Sequence, residues 1–131
     1  MWRTALEQVG GWNEQYPSYN DRELSWRVQA AALRLGFAPG AVVHYRMRQT
    51  LPVLWRKSYG DGMATVRLYA TYRDAGAPRS DTVRALRAWV GFLVHAPDLA
   101  RSRARRGNYL RRLGEHVGHL SGSLRCHVLY L

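Results

Sequence analysis

Between positions 21 and 35 the apolar residues Leu24, Val28, Ala31, Ala32 and Leu35 are separated by 4, 3, 1 and 3, which lays one buried stripe along a helix. Asn20 stands before that stripe as an N-cap and Glu23 follows at capping-box spacing, while Gly36 stops the pattern. Upstream, residues 2–9 predict a short helix closed by Gly10-Gly11, with Pro17 and Ser18 continuing a loop. Downstream, Phe37-Ala38, a Pro39-Gly40 turn and the run Ala41-Val42-Val43-His44-Tyr45 predict one or two short strands.

From Leu51 onward the period is helical. Tyr59, Met63, Val66 and Ala70 keep steps of 4, 3 and 4, with Gly60 and Gly62 expected to weaken the helix they share. Residues 74–81 form the best linker. Ser80 or Asp81 caps a helix running to His95, and Pro97 breaks it. A last helix is expected over about residues 98–119, with Leu110, Leu113, Val117 and Leu120 as its packing face. Two short strands are too few for an independent sheet. A strand as apolar as Ala41-Val42-Val43 between helices belongs to a larger α/β sheet. The pattern thus describes either an α-rich domain with a small β element or part of an α/β fold.

Charge changes this picture. The 131 residues carry a formal charge of +11, with six Arg against four Asp/Glu in residues 1–50 and fourteen Lys/Arg against five Asp/Glu in residues 51–131. Such a field draws nucleic acid, anionic lipid or phosphorylated ligands without choosing among them. Cys126 is the single cysteine, so no disulfide within the chain forms. The start MWRTALEQVGG has no secretory pattern, and the most apolar stretch, residues 88–96, falls short of the roughly 20 residues a membrane-spanning helix needs. The expected location is cytoplasmic, with peripheral contact at the inner face of a membrane.

Against that basic background, residues 10–27 (GGWNEQYPSYNDRELSWR) gather three of the nine acids among four aromatics. The ordered set ALEQVGGWNE, YNDRELSWR, GFAPGAVVHYRMR and RKSYGDGMA resembles the second half of the catalytic domain of family 2 glycosyltransferases. The matched positions are Ala5, Leu6, Val9, Gly10, Gly11, Trp12, Asn13 and Glu14, then Asp21, Glu23, Leu24 and Arg27, then Val42, His44, Tyr59 and Gly60. The resemblance covers about residues 1–73 and implies an α/β fragment, predominantly α-helical. That fragment would be the C-terminal, acceptor-side part of a GT-A fold, followed by a basic helical extension over 74–131.

The resemblance also implies chemistry. Such enzymes move a sugar from a nucleotide-diphosphate donor to an acceptor hydroxyl with inversion, and a carboxylate removes the hydroxyl proton. By position that base is Asp21. Asn20 replaces a family Glu, which keeps a helix cap and removes a charge. Trp12 and Glu14 fall at the acceptor, where an apolar ring face suits a sugar. His44 matches a histidine that binds the divalent metal or diphosphate in some members, and Gly10, Gly11, Asn20, Glu23 and Arg27 support the site. Read from spacing alone, Asp21 and Glu23 equally suit a helix N-terminus, and Glu23 suits an i,i+4 pair with Arg27.

The family's Asp-x-Asp motif, which holds Mg²⁺ or Mn²⁺ against the donor diphosphate, is absent from the sequence. The chain is therefore expected to be a fragment, inert alone, with the metal belonging to the complete enzyme. The expected partners of that enzyme are a nucleotide-sugar donor and a sugar or lipid-linked acceptor. His95, His116, His119 and His127 do not complete a metal set, even with Glu115. The Arg-rich segment from Arg101 to Arg112 supports a second class of reading, a non-enzymatic basic helical protein on anionic membrane or nucleic acid. Nucleic acid ranks last, because no zinc-finger, RRM or basic-zipper signature accompanies the charge.

Overall fold

The computed structural model describes residues 3–16, 18–45 and 50–130. Among the described residues six α-helices follow one another: α1 (Arg3–Gln8), α2 (Asn20–Ala30), α3 (Leu51–Tyr72), α4 (Thr82–Val94), α5 (Asp98–Arg101) and α6 (Arg103–Cys126), with a 3-10 turn at Arg73–Ala75. They divide into two compact units, Met1–Met47 and Arg48–Leu131. The sequence resemblance to residue 73 runs across this division. Residue 2 of the first expected helix, the loop residue Pro17, and Arg46, Met47 and Arg48 of the third motif lie outside the described residues.

In the first unit, α1 ends as the paired glycines predict. Gly10 and Gly11 have φ of 78° and 73°, a region that a Cβ penalises. Gly11 N–H donates to Leu6 O at 2.9 Å and Gly10 N–H to Glu7 O at 3.1 Å, the paired bonds of a Schellman cap. Helix α2 starts with Asn20 as its first helical residue. Tyr19 is the residue before it, left-handed at φ 61°, and no side chain caps the end. The expected capping box does not form, because Glu23 is drawn inward instead.

The same helix stops five residues before its expected end. Ala32 adopts φ 57°, with Leu33 N–H bonded to Val28 O and Ala32 N–H to Gln29 O at 3.1 and 3.0 Å. This is a second Schellman cap, with alanine where glycine is usual. Leu24 and Val28 are buried as the stripe predicts, whereas Ala32 and Leu35 are exposed. Residues 41–45, expected as a strand, form none, and Val42 and Val43 stand exposed. Extended backbone has no internal hydrogen bonds and needs a neighbouring strand. No described segment supplies one.

In the second unit, α3 and α6 make the main packing layer. Leu54 meets Gly107, Ser58 meets Gly114, Gly62 meets Gly118 and Val66 meets Gly122, so the two helices run parallel. Gly114, Gly118 and Gly122 repeat every four residues and lie buried on one face of α6, opposite the buried Ser58, Gly62 and Val66 of α3. With no side chains between them the backbones touch. A Cβ on Gly118 would stand 2.3 Å from Tyr59 O, and one on Gly62 would stand 2.1 Å from Glu115 O. The contact face is thus glycine, and the expected Leu113–Val117–Leu120 face is only half-buried or exposed. Gly62, expected to weaken α3, is where α3 meets its partner.

Helix α4 begins where Asp81 was expected to cap it: Asp81 Oδ1 accepts from Val83 N–H and Arg84 N–H at 2.9 and 3.2 Å. The expected single helix over 98–119 is two, because Ser102 is extended and caps α6, its hydroxyl accepting from Arg105 N–H at 3.3 Å. Helix α6 then runs on to Cys126, and Tyr130 folds back between Tyr69 and His119, ring centroids 5.0 and 5.5 Å away.

Candidate functional site

The motif of residues 9–27 is built around one buried ion pair. Glu23, on the inner face of α2, is 0% exposed. Arg27, one turn later, sets Nε 2.8 Å from Glu23 Oε1 and Nη2 2.9 Å from Oε2. The rest of the guanidinium reaches back to the end of α1. Nη1 donates to Val9 O, and Nη2 donates to Gly11 O at 2.6 Å. These carbonyls border the helix end, whose unpaired oxygens favour a cation. Asn13 Nδ2 adds a bond to Glu23 Oε1 at 3.4 Å.

Arg27 thereby straps the Gly-Gly turn onto α2 with a planar fork that lysine could not copy. Beyond the strap, Asn13 closes the turn by accepting from Gln15 N–H at 3.1 Å through Oδ1 and from Tyr16 N–H at 3.1 Å through its carbonyl. Tyr16 is buried at the foot of the turn. A charged pair taken out of water costs free energy unless its hydrogen bonds are met. Here Val9 O, Gly11 O and Asn13 Nδ2 add three bonds to the pair, while the buried Arg27 Nε has only its ion-pair contact, and together these contacts specify how the turn sits on the helix.

Burial divides most of the motif: Glu23 and Leu24 are buried, Gly11, Asn13 and Arg27 half-buried, and Gly10 exposed. Gly10, Gly11, Asn13, Glu23, Leu24 and Arg27 make the turn and its strap. Trp12, Glu14, Asn20, Asp21 and His44 are exposed. Trp12 projects from the turn at 55% exposure. Asp21 sits in the first turn of α2, where Oδ1 accepts from Arg22 N–H at 2.9 Å. His44 lies in the exposed run 41–45, outside any helix. The structure therefore joins Glu23, Arg27, Gly11 and Asn13 through named bonds, and leaves the candidate base, ring and imidazole as surface groups.

Spacing alone identified the Glu23–Arg27 pair, because i,i+4 neighbours face each other on a helix. Asn13 and Tyr16 were missed as supports. The Asn-x-Gln signal of an Asx turn was present for the first, and nothing local marked the second. No three His, Cys, Asp or Glu side chains gather to hold a metal ion among the described residues. Those residues do not fit a metal centre on their own, and no step below runs through a metal.

Among the described residues of the second unit, two hollows stand out. One, of about 600 Å³, is lined by Leu51, Trp55, Arg56, Tyr59 and Leu110. The other, of about 670 Å³, lies between α4 and α6, with Phe92, Tyr109 and His116 among its walls and Arg84, Arg105, Arg111 and Arg112 around it. Tyr109 Oη fastens the two helices by donating to Phe92 O at 3.1 Å.

A glycosyltransferase is what the chain is similar to. It is 34% identical over 88 residues to the pre-mycofactocin glycosyltransferase of Mycobacterium tuberculosis, in both strain CDC 1551 / Oshkosh and strain ATCC 25618 / H37Rv. The alignment takes in 66% of this chain and 18% of that enzyme, so the chain spans less than a fifth of the relatives it matches. No family model and no solved structure matches it.

Proposed function

We propose that this chain is the acceptor-side portion of an inverting, family 2 type glycosyltransferase of GT-A fold, spanning residues 1–73, with residues 74–131 as an added helical module. The observation that carries the reading is the division of the motif. Gly11, Asn13, Glu23 and Arg27 are tied together in one strap, while Trp12, Glu14 and Asp21 stay exposed on the elements that the strap joins. The similarity to a named glycosyltransferase supports the same class.

In this reading the Asp21 carboxylate accepts the proton of an acceptor hydroxyl. The freed oxygen attacks the anomeric carbon from the face opposite the leaving group. As the new glycosidic C–O bond forms, the bond to the nucleoside diphosphate breaks, and the diphosphate departs with the electron pair, inverting the centre. Trp12 offers a ring face to the acceptor sugar and Glu14 a hydrogen-bond acceptor for its hydroxyls. His44 stands toward the donor diphosphate. The sequence holds no Asp-x-Asp, so gripping the donor falls to another segment, and this chain alone is inactive.

The test is to read the DNA preceding the Met1 codon for an in-frame Asp-x-Asp segment, express the joined polypeptide, and measure nucleoside diphosphate release from a panel of nucleotide sugars. Asp21→Asn should lower turnover roughly 10²–10⁴-fold, the ordinary contribution of a general base. Unchanged turnover removes Asp21 from its role. Release from no donor removes the transferase reading.

A further inference from the structure

Helix α4 is apolar on two faces. Ala85, Trp89 and Phe92 turn inward, with Phe92 packed on Tyr109 and His116 of α6, ring centroids 5.7 and 5.1 Å away. Val83, Leu86, Val90, Leu93 and Val94 fall on a second arc, about 100° wide at 3.6 residues per turn, and stand exposed, from 54% at Val90 to 79% at Leu93. A surface helix ordinarily presents charge on that side. Here the helix has no acidic residue. Its polar edge is Arg87, then Arg84, which lines the 670 Å³ hollow with Arg105, Arg111 and Arg112 against only Asp98 and Glu115.

We propose that α4 docks on a bilayer rich in anionic phospholipid, with its aliphatic arc entering the acyl boundary and Arg84, Arg87 and the arginines of the hollow holding lipid phosphates. The five aliphatic side chains carry no hydrogen-bonding group, as acyl chains require, whereas protein contacts favour aromatic anchors with a polar rim. A second copy would bring the same arginines to the same contact and be repelled. A basic edge beside an aliphatic face is the composition of helices that lie in the plane of a membrane interface. The sequence placed membrane contact on the α6 arginines. The structure supplies the apolar half on α4. This inference does not rest on the transferase reading.

Vesicle co-sedimentation of the chain tests it, using phosphatidylcholine alone and phosphatidylcholine mixed with phosphatidylglycerol. Net charge alone would adsorb the protein to the mixed vesicles, so the deciding variant keeps charge constant. The pair Leu86→Gln and Leu93→Gln, both at exposed positions and with folding checked by circular dichroism, should weaken binding about tenfold or more. Arg84→Gln with Arg87→Gln should weaken it roughly fivefold per charge and flatten its salt dependence. The proposal is overturned by binding that the leucine variants leave unchanged, by equal competition from soluble glycerol phosphate, or by a dimer in solution that those variants dissociate.

Discussion

Two glycine-to-alanine changes on α3, two residues apart, should move stability in opposite directions. At Gly62 the added Cβ would stand 2.1 Å from Glu115 O and 3.0 Å from Gly118 Cα, short of van der Waals contact with that oxygen by more than about 1 Å. Both obstacles are backbone, so no rotamer change relieves them and the two helices must part. Overpacking costs about 1–3 kcal/mol, and a backbone clash belongs at the upper end. Alanine's helix preference returns about 0.8–1.0 kcal/mol, leaving a net loss of about 2 kcal/mol.

At Gly60 nothing lies within 4 Å of the added Cβ, so Gly60→Ala should keep the whole propensity gain of about 0.8–1.0 kcal/mol. The two variants therefore differ by about 3 kcal/mol. Urea unfolding followed by circular dichroism should resolve them, with midpoints separated on the order of 1 M. The close approach of α3 and α6 is refuted if Gly62→Ala unfolds at or above the midpoint of Gly60→Ala.

Three further outcomes follow from named contacts. Glu23→Gln leaves the Arg27 charge without its carboxylate and should cost about 3 kcal/mol in thermal or urea unfolding, whereas Glu14→Gln, at an exposed site, should cost almost nothing. Ala32→Gly relieves a left-handed alanine and should raise stability by about 1 kcal/mol, read as a higher melting temperature. His119 has its pKa lowered to about 4, first by burial and then by the charge of His116, and both its ring nitrogens lack hydrogen-bond partners among the described residues. An unfolded histidine takes its proton near 6.5, so this stability is whole above that pH and is lost as pH falls toward 4. The loss should be on the order of 2 kcal/mol after allowing for partial exposure, and His119→Phe should flatten that part of the pH–stability curve.

Some of this molecule is legible residue by residue. Asp81 as a cap, Gly10-Gly11 as a helix end, and the i,i+4 pairing of Glu23 with Arg27 follow from local rules, because each involves neighbours within one or two turns. The acid-rich, aromatic motif on which the functional reading rests is legible in the same way, as an ordered set of residue types. Other features depend on what each segment meets. Residues 41–45 have the composition of a strand and form none, since a strand needs a partner that local sequence does not contain. Asp21 and Glu23 are two acids of one helix turn, and only packing shows that one is a surface group and the other sits buried under Arg27. Gly62 looks like a weak point in a helix until α6 is laid against it, when the missing side chain becomes the reason the two backbones touch. Helical period assigned a packing face to the large residues of α6, yet the glycines won it, because close contact between helices is decided by the shape of both surfaces together.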